Sequence, residues 1–322
     1  MKAIVVRAFG GPEALQLADV DDPVVTSNGV VVRIQAAGVN PVDAYIRSGG
    51  YARQPPLPWI PGFDGSGIVE AVGSAATRFH PGDCVYVATL GTWHGTYAQR
   101  TLCDVDQVHP LPANVSFSQG AAIGVPVATA YRALFGRAHV RPGETVLVHG
   151  ASGAVGVAAV QLAKSAGLTV IGTASTDEGT TLVRKAGAAH VFNHRDPAHV
   201  DQIRAATDGR GVDVIIEMLA NANLDADLTL LALRGRVVVI GSRGRIEIDP
   251  RHTMARDLSI LGMTLWNVPA EELAQIYTRI GQALEDGTLK PVVGREFPLE
   301  DAAEAQRTLF EERAHGKVVL IV

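Results

Sequence analysis

The sequence predicts an α/β protein in which a doubly wound parallel sheet is set into a smaller, β-rich domain. Three observations predict it. Strand-like and helix-like runs alternate from residue 120 to 259, a Gly-rich turn joins the first strand of that series to its helix, and residues 1–119 carry short β-like runs cut by Gly and Pro. Alternation of this kind implies right-handed crossovers between parallel strands. A chain of 322 residues is long enough for two domains.

The first segment, 1–119, contains few helical patterns. Its apolar runs are short and are separated by turn sequences such as GGPE and HPGD, which predicts a strongly bent β-domain. The clearest helix here is PVDAYIRSG, which begins with Pro41 in its first turn and ends at Gly49. This segment is therefore predicted to be the first part of a catalytic domain.

The middle segment, 120–259, begins with a helical run and continues with TVLVHG, a Gly-rich turn and the helix VAAVQLAK. Strands LTVIGTAS, AHVFNH, VDVIIEM and RVVVIGS follow, with NANLDADLTLLALRG predicted as a helix between the last two. The remainder, 260–322, opens in LSILGMTL, predicted as a sixth strand, and then returns to the catalytic domain.

Composition excludes several classes of protein. Hydrophobic residues make up 47% and charged residues 19%, as in a folded enzyme, and a net charge of -5 gives no overall attraction to nucleic acid or anionic lipid. Cys84 and Cys103 form no metal-binding cluster and are predicted to be buried and inert. No secretory leader or membrane span is recognisable, so we expect a cytoplasmic protein.

A phosphate-binding turn is predicted after the strand TVLVHG. In a Rossmann turn, Gly153 would let the backbone approach a pyrophosphate and Gly156 would let the helix pack against the sheet. The backbone N–H groups of Ser152, Gly153, Ala154 and Val155 would lie at the positive end of the helix dipole. The alternative is a tight turn that binds no ligand.

The end of the second strand predicts which dinucleotide binds. Ser175 stands where NAD-selective sites carry an acidic residue, and His194 and Arg195 follow the third strand. Without a carboxylate to repel a 2'-phosphate, NADP(H) is favoured over NAD(H). Arg243, in the turn GSRG, is a second candidate for phosphate. The alternative for His194 and Arg195 is that they lie in a solvated loop, and the alternative for Arg243 is plain surface charge. Asn223, after the strand VDVIIEM, could contact the cofactor or cap the following helix.

Segments along nearly the whole chain resemble the zeta-crystallin-like quinone oxidoreductases, a zinc-independent branch of the medium-chain dehydrogenase/reductase superfamily. They include GVNPVDAYIRSGGY, LPWIPGFDGSGIVEAVG, VLVHGASGAVG, VFNHR, IIEMLANANL and GSRGRIEIDPRHTMA, all in the same order. The resemblance implies a Rossmann domain inserted into a GroES-like catalytic domain. It also implies reduction of quinones, ortho-quinones among them, by a homodimer or homotetramer.

The resemblance further implies which residues contact NADPH. In this chain the matching positions are Tyr45, Ser152, Gly153, Ala154, Val155, Ser175, His194, Asn223, Ile240, Gly241, Ser242, Arg243, Met263, Thr264 and Leu265. Arg195 joins them from the reasoning on phosphate binding.

Zinc-dependent relatives carry a Cys near the position of Asn40 and Gly-His-Glu where this chain has Gly62-Phe63-Asp64. Those ligands are missing from the sequence, which predicts a reaction without metal. The electron acceptor must then be electrophilic by itself, as a quinone or enone is. Asn40, Asp43 and Tyr51 are the candidate catalytic residues; a helix cap, a first-turn carboxylate and a packing side chain are their respective alternatives.

Two other functions stay open on the sequence. An enone or alkenal reductase that saturates a carbon-carbon double bond needs the same metal-free pocket. AU-rich RNA binding, known for some relatives, belongs to another class, and the net acidic chain has no run of Lys or Arg to favour it.

Overall fold

A computed structural model of the chain describes residues 1–310 and 315–322. The chain divides into two compact units, one formed by 1–126 with 270–322 and the other by 127–269. The domain limits predicted from sequence, 119/120 and 259/260, fall earlier along the chain in both cases. Residues 260–269 thus lie with the second unit, because the strand that begins at Ser259 pairs within its sheet.

Secondary structure in the described residues follows the predicted order. The strands are β1 (Lys2–Val5), β2 (Gln16–Asp19), β3 (Gly29–Val39), β4 (Asp64–Val72), β5 (Cys84–Ala88), β6 (Arg100–Asp104), β7 (Val108–Pro110), β8 (Thr145–Val148), β9 (Thr169–Ala174), β10 (His190–Asn193), β11 (Val212–Glu217), β12 (Leu231–Val239), β13 (Ser259–Gly262), β14 (Val293–Pro298) and β15 (Lys317–Ile321). The α-helices are α1 (Pro41–Arg47), α2 (Phe117–Gly120), α3 (Gly124–Tyr131), α4 (Ala154–Ser165), α5 (Asp177–Ala186), α6 (His199–Ala205), α7 (Ala220–Leu230), α8 (Arg251–Arg256), α9 (Ala270–Glu285) and α10 (Ala302–Thr308).

The first unit is built on a mostly antiparallel sheet with the strand order β14-β15-β3-β4-β5-β7, in which β6 also pairs with β3. The last strand of the chain, β15, lies beside β3, which in turn pairs with β4. The two ends of the sequence therefore belong to one unit. This register also brings the start of α1, the start of β4 and the start of β15 to the same end of the sheet.

The second unit contains a six-stranded parallel sheet with the order β10-β9-β8-β11-β12-β13. Numbered from its own first strand, this is 3-2-1-4-5-6, the order of a Rossmann fold, and it confirms the predicted doubly wound sheet. The order reverses between β8 and β11, and ligands of such folds bind at the carboxyl ends of the strands flanking that point. A dinucleotide site is therefore expected at the carboxyl ends of β8 and β11.

Two local predictions were wrong. The helix predicted to run to Gly235 ends at Leu230, and β12 begins at Leu231 because Leu231 pairs with Val212 of β11 and is fully buried. Cys84 is exposed at the start of β5, whereas Cys103 is buried as expected. Among the described residues, no helix combines the length and the apolar character that crossing a membrane requires.

Candidate functional site

The Gly-rich turn between β8 and α4 has an open side. Gly150 adopts a left-handed conformation with φ +55, Gly153 N–H donates to the Gly150 carbonyl at 3.1 Å, and Gly153 is the N-cap of α4. A side-chain carbon added at Gly153 would meet only the Gly150 carbonyl oxygen, at 3.5 Å. Ser152, Gly153, Ala154 and Val155 are all half-buried. The turn thus leads into the N-terminus of a 12-residue helix with open space beside Gly153, and helix N-termini of this kind bind phosphate in other proteins.

Gly156, by contrast, closes the inner side of the turn. A carbon added there would lie 2.5 Å from the Gly150 carbonyl oxygen and 2.6 Å from the Ala151 Cα. Both are backbone atoms and cannot rotate away. Space around Gly153 is therefore open, as close approach of a pyrophosphate requires, and space around Gly156 is filled by backbone, as close packing of the helix requires.

The carboxyl ends of β9 and β10 bring the predicted 2'-phosphate residues together. Asn193 pairs with Ala174, and His194 N–H donates to the Ala174 carbonyl at 3.2 Å, so His194 and Ser175 follow directly from paired positions. Ser175 is half-buried, while His194 and Arg195 are exposed. The side-chain oxygen of Thr176 caps α5, accepting from Gly179 N–H at 3.0 Å.

The ends of β11, β12 and β13 supply the rest of the predicted cofactor residues in this unit. Ile240 and Gly241 follow β12, and the Gly241 carbonyl accepts from Ala220 N–H at 2.9 Å. Arg243 N–H donates to the Asn221 side-chain oxygen at 2.7 Å. Ser242 and Arg243 are exposed, and the predicted residues Met263, Thr264 and Leu265 lie directly after β13. Every predicted cofactor residue except Tyr45 is thus found at one edge of one sheet.

Behind this edge lies a group that the sequence analysis missed, which we call the His149 cluster: His149, Glu217 and Asp227. All three are buried; His149 Nε2 lies 2.8 Å from Asp227 Oδ1 and 3.6 Å from Glu217 Oε2. Their ligand-type atoms lie within 4.8 Å of one another, an arrangement that could also hold a metal ion. The three residues form no recognisable sequence motif, because they come from the end of β8, the end of β11 and the middle of α7.

Burial and the neighbouring charges both shift the pKa values within the His149 cluster. Burial by itself would lower the pKa of His149, but the Asp227 carboxylate and the charge of Glu217 outweigh it and raise that pKa. Burial raises the pKa of Glu217 although His149 attracts its charged form, and repulsion from Asp227 adds to the increase. The cluster therefore favours a bound proton.

In the first unit, the predicted catalytic residues Asn40 and Asp43 belong to the α1 polar cluster, formed by Asn40, Asp43, Asp64, Tyr97 and Lys317. Lys317 Nζ donates to Asn40 Oδ1 at 2.5 Å and to Asp64 Oδ2 at 2.8 Å, and Asn40 Nδ2 donates to the same Asp64 oxygen at 2.8 Å. Val125 N–H donates to the other Asp64 oxygen at 2.7 Å. Lys317 is only 1% exposed, and Asp64 is fully buried.

Asp43 continues the same network on the other side of Asn40. Its Oδ2 accepts from the Asn40 backbone N–H at 2.8 Å and from the Tyr97 hydroxyl at 2.9 Å. Both Asn40 and Asp43 are buried, and both polar atoms of the Asn40 amide bind protein groups. Asp43 thus accepts a hydrogen bond in the first turn of α1, whereas Asn40 stands at the N-cap position but its side chain makes no capping hydrogen bond.

The two tyrosines of the predicted site are more accessible. Tyr51, which follows α1, is half-buried, and so is Tyr45, whose ring lies 6.0 Å from that of Phe310. Of the three candidate catalytic residues, Tyr51 is therefore the one whose side chain is not buried. From the sequence, Asp64 is recognisable only as the residue that replaces a zinc ligand. Tyr97 and Lys317 are not recognisable at all, since Lys317 lies 277 residues from Asn40 along the chain.

Asp43 makes the stability of the first unit depend on pH. Burial raises the pKa of its carboxyl to about 7, against a usual value near 4. Because the folded protein binds the proton more tightly than the unfolded chain, this contribution to stability is fully present below about pH 4 and is lost as the pH rises to about 7. Relative to Asp43→Asn, the wild type should lose about 4 kcal/mol of unfolding free energy between about pH 4 and pH 8.

Urea unfolding of both proteins across this pH range measures that difference. Asp21→Asn, which removes an exposed carboxylate, is the matched control and should run parallel to the wild type. A wild-type curve parallel to that of Asp43→Asn would contradict the burial of a protonated Asp43.

Family models match both units. The alcohol dehydrogenase GroES-like domain matches residues 26–113, and a model described as zinc-binding dehydrogenase matches residues 154–280. With the 3-2-1-4-5-6 sheet, these define an oxidoreductase of the medium-chain dehydrogenase/reductase type.

A human quinone oxidoreductase is 48% identical over 324 residues, which cover 100% of this chain and 98% of the relative. The chain belongs to the quinone oxidoreductase family. Among solved structures, an NAD-dependent alcohol dehydrogenase aligns with a TM-score of 0.93 and 35% identity over 100% of both chains. An Escherichia coli quinone oxidoreductase complexed with NADPH aligns with a TM-score of 0.89 and 30% identity, again over 100% of both.

Proposed function

We propose that this protein uses NADPH to reduce quinones, ortho-quinones among them, without a metal ion. The observation that carries the proposal is the open Ser152–Val155 turn at the point where the strand order reverses. There the start of α4 lies beside open space at Gly153, which supports the binding of a diphosphate by the first N–H groups of the helix. With its diphosphate held at this turn, NADPH would supply the hydride from its nicotinamide ring. The family membership and the NADPH in the E. coli structure support this choice of cofactor.

Preference for NADPH over NADH is proposed from the ends of β9 and β10. Ser175 places no carboxylate where a 2'-phosphate would sit, and the exposed Arg195 offers a guanidinium that can pair with it. Arg243 offers a second one from the turn after β12. A solved NAD-dependent alcohol dehydrogenase has the same fold, so it is the side chains at these strand ends, and not the fold, that would decide between the two cofactors.

Independence of metal is proposed from the α1 polar cluster. At the positions where zinc-dependent relatives carry Cys and Glu, this chain has Asn40 and Asp64, and the Lys317 ammonium is hydrogen-bonded to both. A buried cation thus already neutralises Asp64, and an amide replaces a thiolate, so these residues do not fit a zinc ion. The protein's own contribution is then to exclude water, orient the acceptor and hydrogen-bond its oxygen.

Tyr51 is proposed to donate that hydrogen bond, while Asn40 and Asp43 hold α1 in position. Tyr51→Phe should lower kcat/KM for a quinone by about tenfold, since one hydrogen bond to a charged oxygen is worth about 1.5 kcal/mol. The Kd for NADPH should stay within about twofold of the wild type. Steady-state kinetics and a fluorescence titration test this, with Tyr131→Phe as the matched control. Unchanged kcat/KM in Tyr51→Phe would remove Tyr51 from the site.

Fluorescence titration of NADPH against NADH tests the choice of cofactor. NADPH should bind at least about tenfold more tightly, which corresponds to about 1.4 kcal/mol. Arg195→Ala or Arg243→Ala should narrow this gap by weakening NADPH alone. Arg184→Ala, which removes an exposed arginine from α5, should leave it unchanged. Equal affinity for the two cofactors in the wild type would refute the preference.

A panel of acceptors separates the candidate activities. Turnover of 9,10-phenanthrenequinone after dialysis against a chelator is the expected result, whereas turnover of a simple alkenal alone would favour double-bond reduction.

A cytoplasmic location and a homodimeric or homotetrameric assembly belong to the same proposal. No contact or charge pattern in the described residues favours RNA binding, and a gel shift with an AU-rich oligonucleotide would test it.

A further inference from the structure

The His149 cluster touches both segments that follow the strands at the switch point. On one side, Thr173 Oγ1 accepts from Gly150 N–H at 3.2 Å and lies 3.4 Å from His149 Nδ1. On the other side, Glu217 accepts from Leu219 N–H and, at 3.1 and 3.2 Å, from the Asn223 side-chain nitrogen. The cluster therefore fixes the start of the Gly-rich turn and the orientation of Asn223, a predicted cofactor residue.

The His149 cluster is electrically neutral only when one of its carboxyl groups is protonated in addition to His149. With His149 protonated and both carboxyls ionised, a net negative charge would be buried at a cost of several kcal/mol. One further proton removes that charge. Asp227 Oδ2 is buried and has no hydrogen-bond partner in the described part of the chain. Carboxylate oxygens of Glu217 and Asp227 lie within 4.8 Å of each other, so a proton on Glu217 has an acceptor nearby. The titratable groups that act on His149 are Asp227 from α7 and Glu217 from β11, whereas β9 contributes the uncharged Thr173.

We propose that the His149 cluster is a set of positioning residues which bind a proton together with the cofactor, so that NADPH affinity falls when Glu217 loses that proton. The inference rests on the proposed binding of NADPH at the adjacent turn. Loss of the proton to solvent places an additional negative charge behind the N–H groups that face the diphosphate. By linkage, NADPH binding at alkaline pH must then take up a proton.

The Glu217→Gln variant separates this proposal from a purely structural role. A glutamine can donate to Asp227 and accept from Leu219 N–H, as the protonated glutamic acid does, but it cannot ionise. From about pH 6.5 to pH 8.5, the Kd of the wild type for NADPH should rise at least about fivefold, and that of Glu217→Gln should change by less than about twofold. Glu217→Gln changes neither the NADPH phosphates nor the residues predicted to contact the 2'-phosphate, so any contribution from those groups cancels in the comparison.

The matched control is Asp213→Asn, which neutralises the carboxylate at the opposite end of β11 and should keep the wild-type pH dependence. Calorimetry at about pH 8 in buffers of different ionisation enthalpy should detect proton uptake by the wild type and less by Glu217→Gln. If Glu217→Gln does not fold, Asp227→Asn and the proton uptake of the wild type carry the test. Equal pH dependence in wild type and Glu217→Gln, or absence of proton uptake, would overturn the inference while leaving NADPH binding intact.

Measurement of the metal content distinguishes a proton from a metal ion as the occupant of the His149 cluster. One equivalent of a divalent metal in the wild type that is lost in Glu217→Gln would replace the proposal with a metal site. Failure of the wild type to bind NADPH at any pH would instead refute the proposed function, and the inference with it.

Discussion

Lys317→Met is expected to lower the free energy of unfolding by about 3 to 5 kcal/mol, because it leaves the Asp64 carboxylate buried without its counter-charge. Asp64 is fully buried and, among the described residues, would keep the donors from Asn40 and Val125 alone. Methionine fills a similar volume, so the loss reports charge rather than a cavity. Urea unfolding at neutral pH measures it, with Lys185→Met, which changes an exposed lysine on α5, as control.

The double variant Lys317→Met with Asp64→Asn completes this experiment. Removing both charges should recover a large part of the stability, since the penalty arises from one buried charge without its partner. A Lys317→Met protein within about 1 kcal/mol of the wild type would show that the ammonium does not neutralise Asp64. The reason proposed above for the absence of zinc chemistry would fail with it.

Gly153→Val is expected to weaken NADPH binding at least about a hundredfold, or about 2.7 kcal/mol, while the protein remains folded. Gly153 has φ -77 and ψ 171, which any residue can adopt, and a Cβ there meets only the Gly150 carbonyl oxygen at an ordinary contact distance. The added methyl groups would occupy the space into which the diphosphate must come.

Two other glycines serve as controls for Gly153→Val. Gly156→Ala should mainly reduce stability, because its Cβ meets backbone 2.5 Å away, and Gly281→Ala should change neither property, because the space around it is open. Fluorescence titration and thermal unfolding of the same samples separate binding from stability. Unchanged NADPH affinity in Gly153→Val would mean that the diphosphate does not bind at this turn.

The predictions from sequence were most successful where the signal was local. Alternation of strands and helices gave the doubly wound sheet, and the turn around Gly153 was recognised because its residues are consecutive. The end of the helix after Asn221 was misplaced because LLAL suits a helix as well as a buried strand. Pairing of Leu231 with Val212 decides the matter, and that pairing is not visible in the sequence alone.

The interactions that fix the candidate site are long-range. Lys317 reaches Asn40 because β15 pairs with β3, and His149 reaches Asp227 because α7 packs on β11. Sequence spacing carries no record of such neighbours. Asn40 and Asp43 were therefore singled out for their polar chemistry, whereas the structure gives each of them protein partners that account for their burial.

Hydrogen exchange with and without NADPH tests the central claim most directly, namely that the N–H groups from Ser152 to Val155 bind the diphosphate. The account predicts that saturating NADPH slows exchange in the peptide spanning 150–157 in wild type that has been treated with a chelator. The same peptide in Gly153→Val should show no slowing at that concentration. Saturation with NADPH that leaves exchange at this turn unchanged would contradict the account.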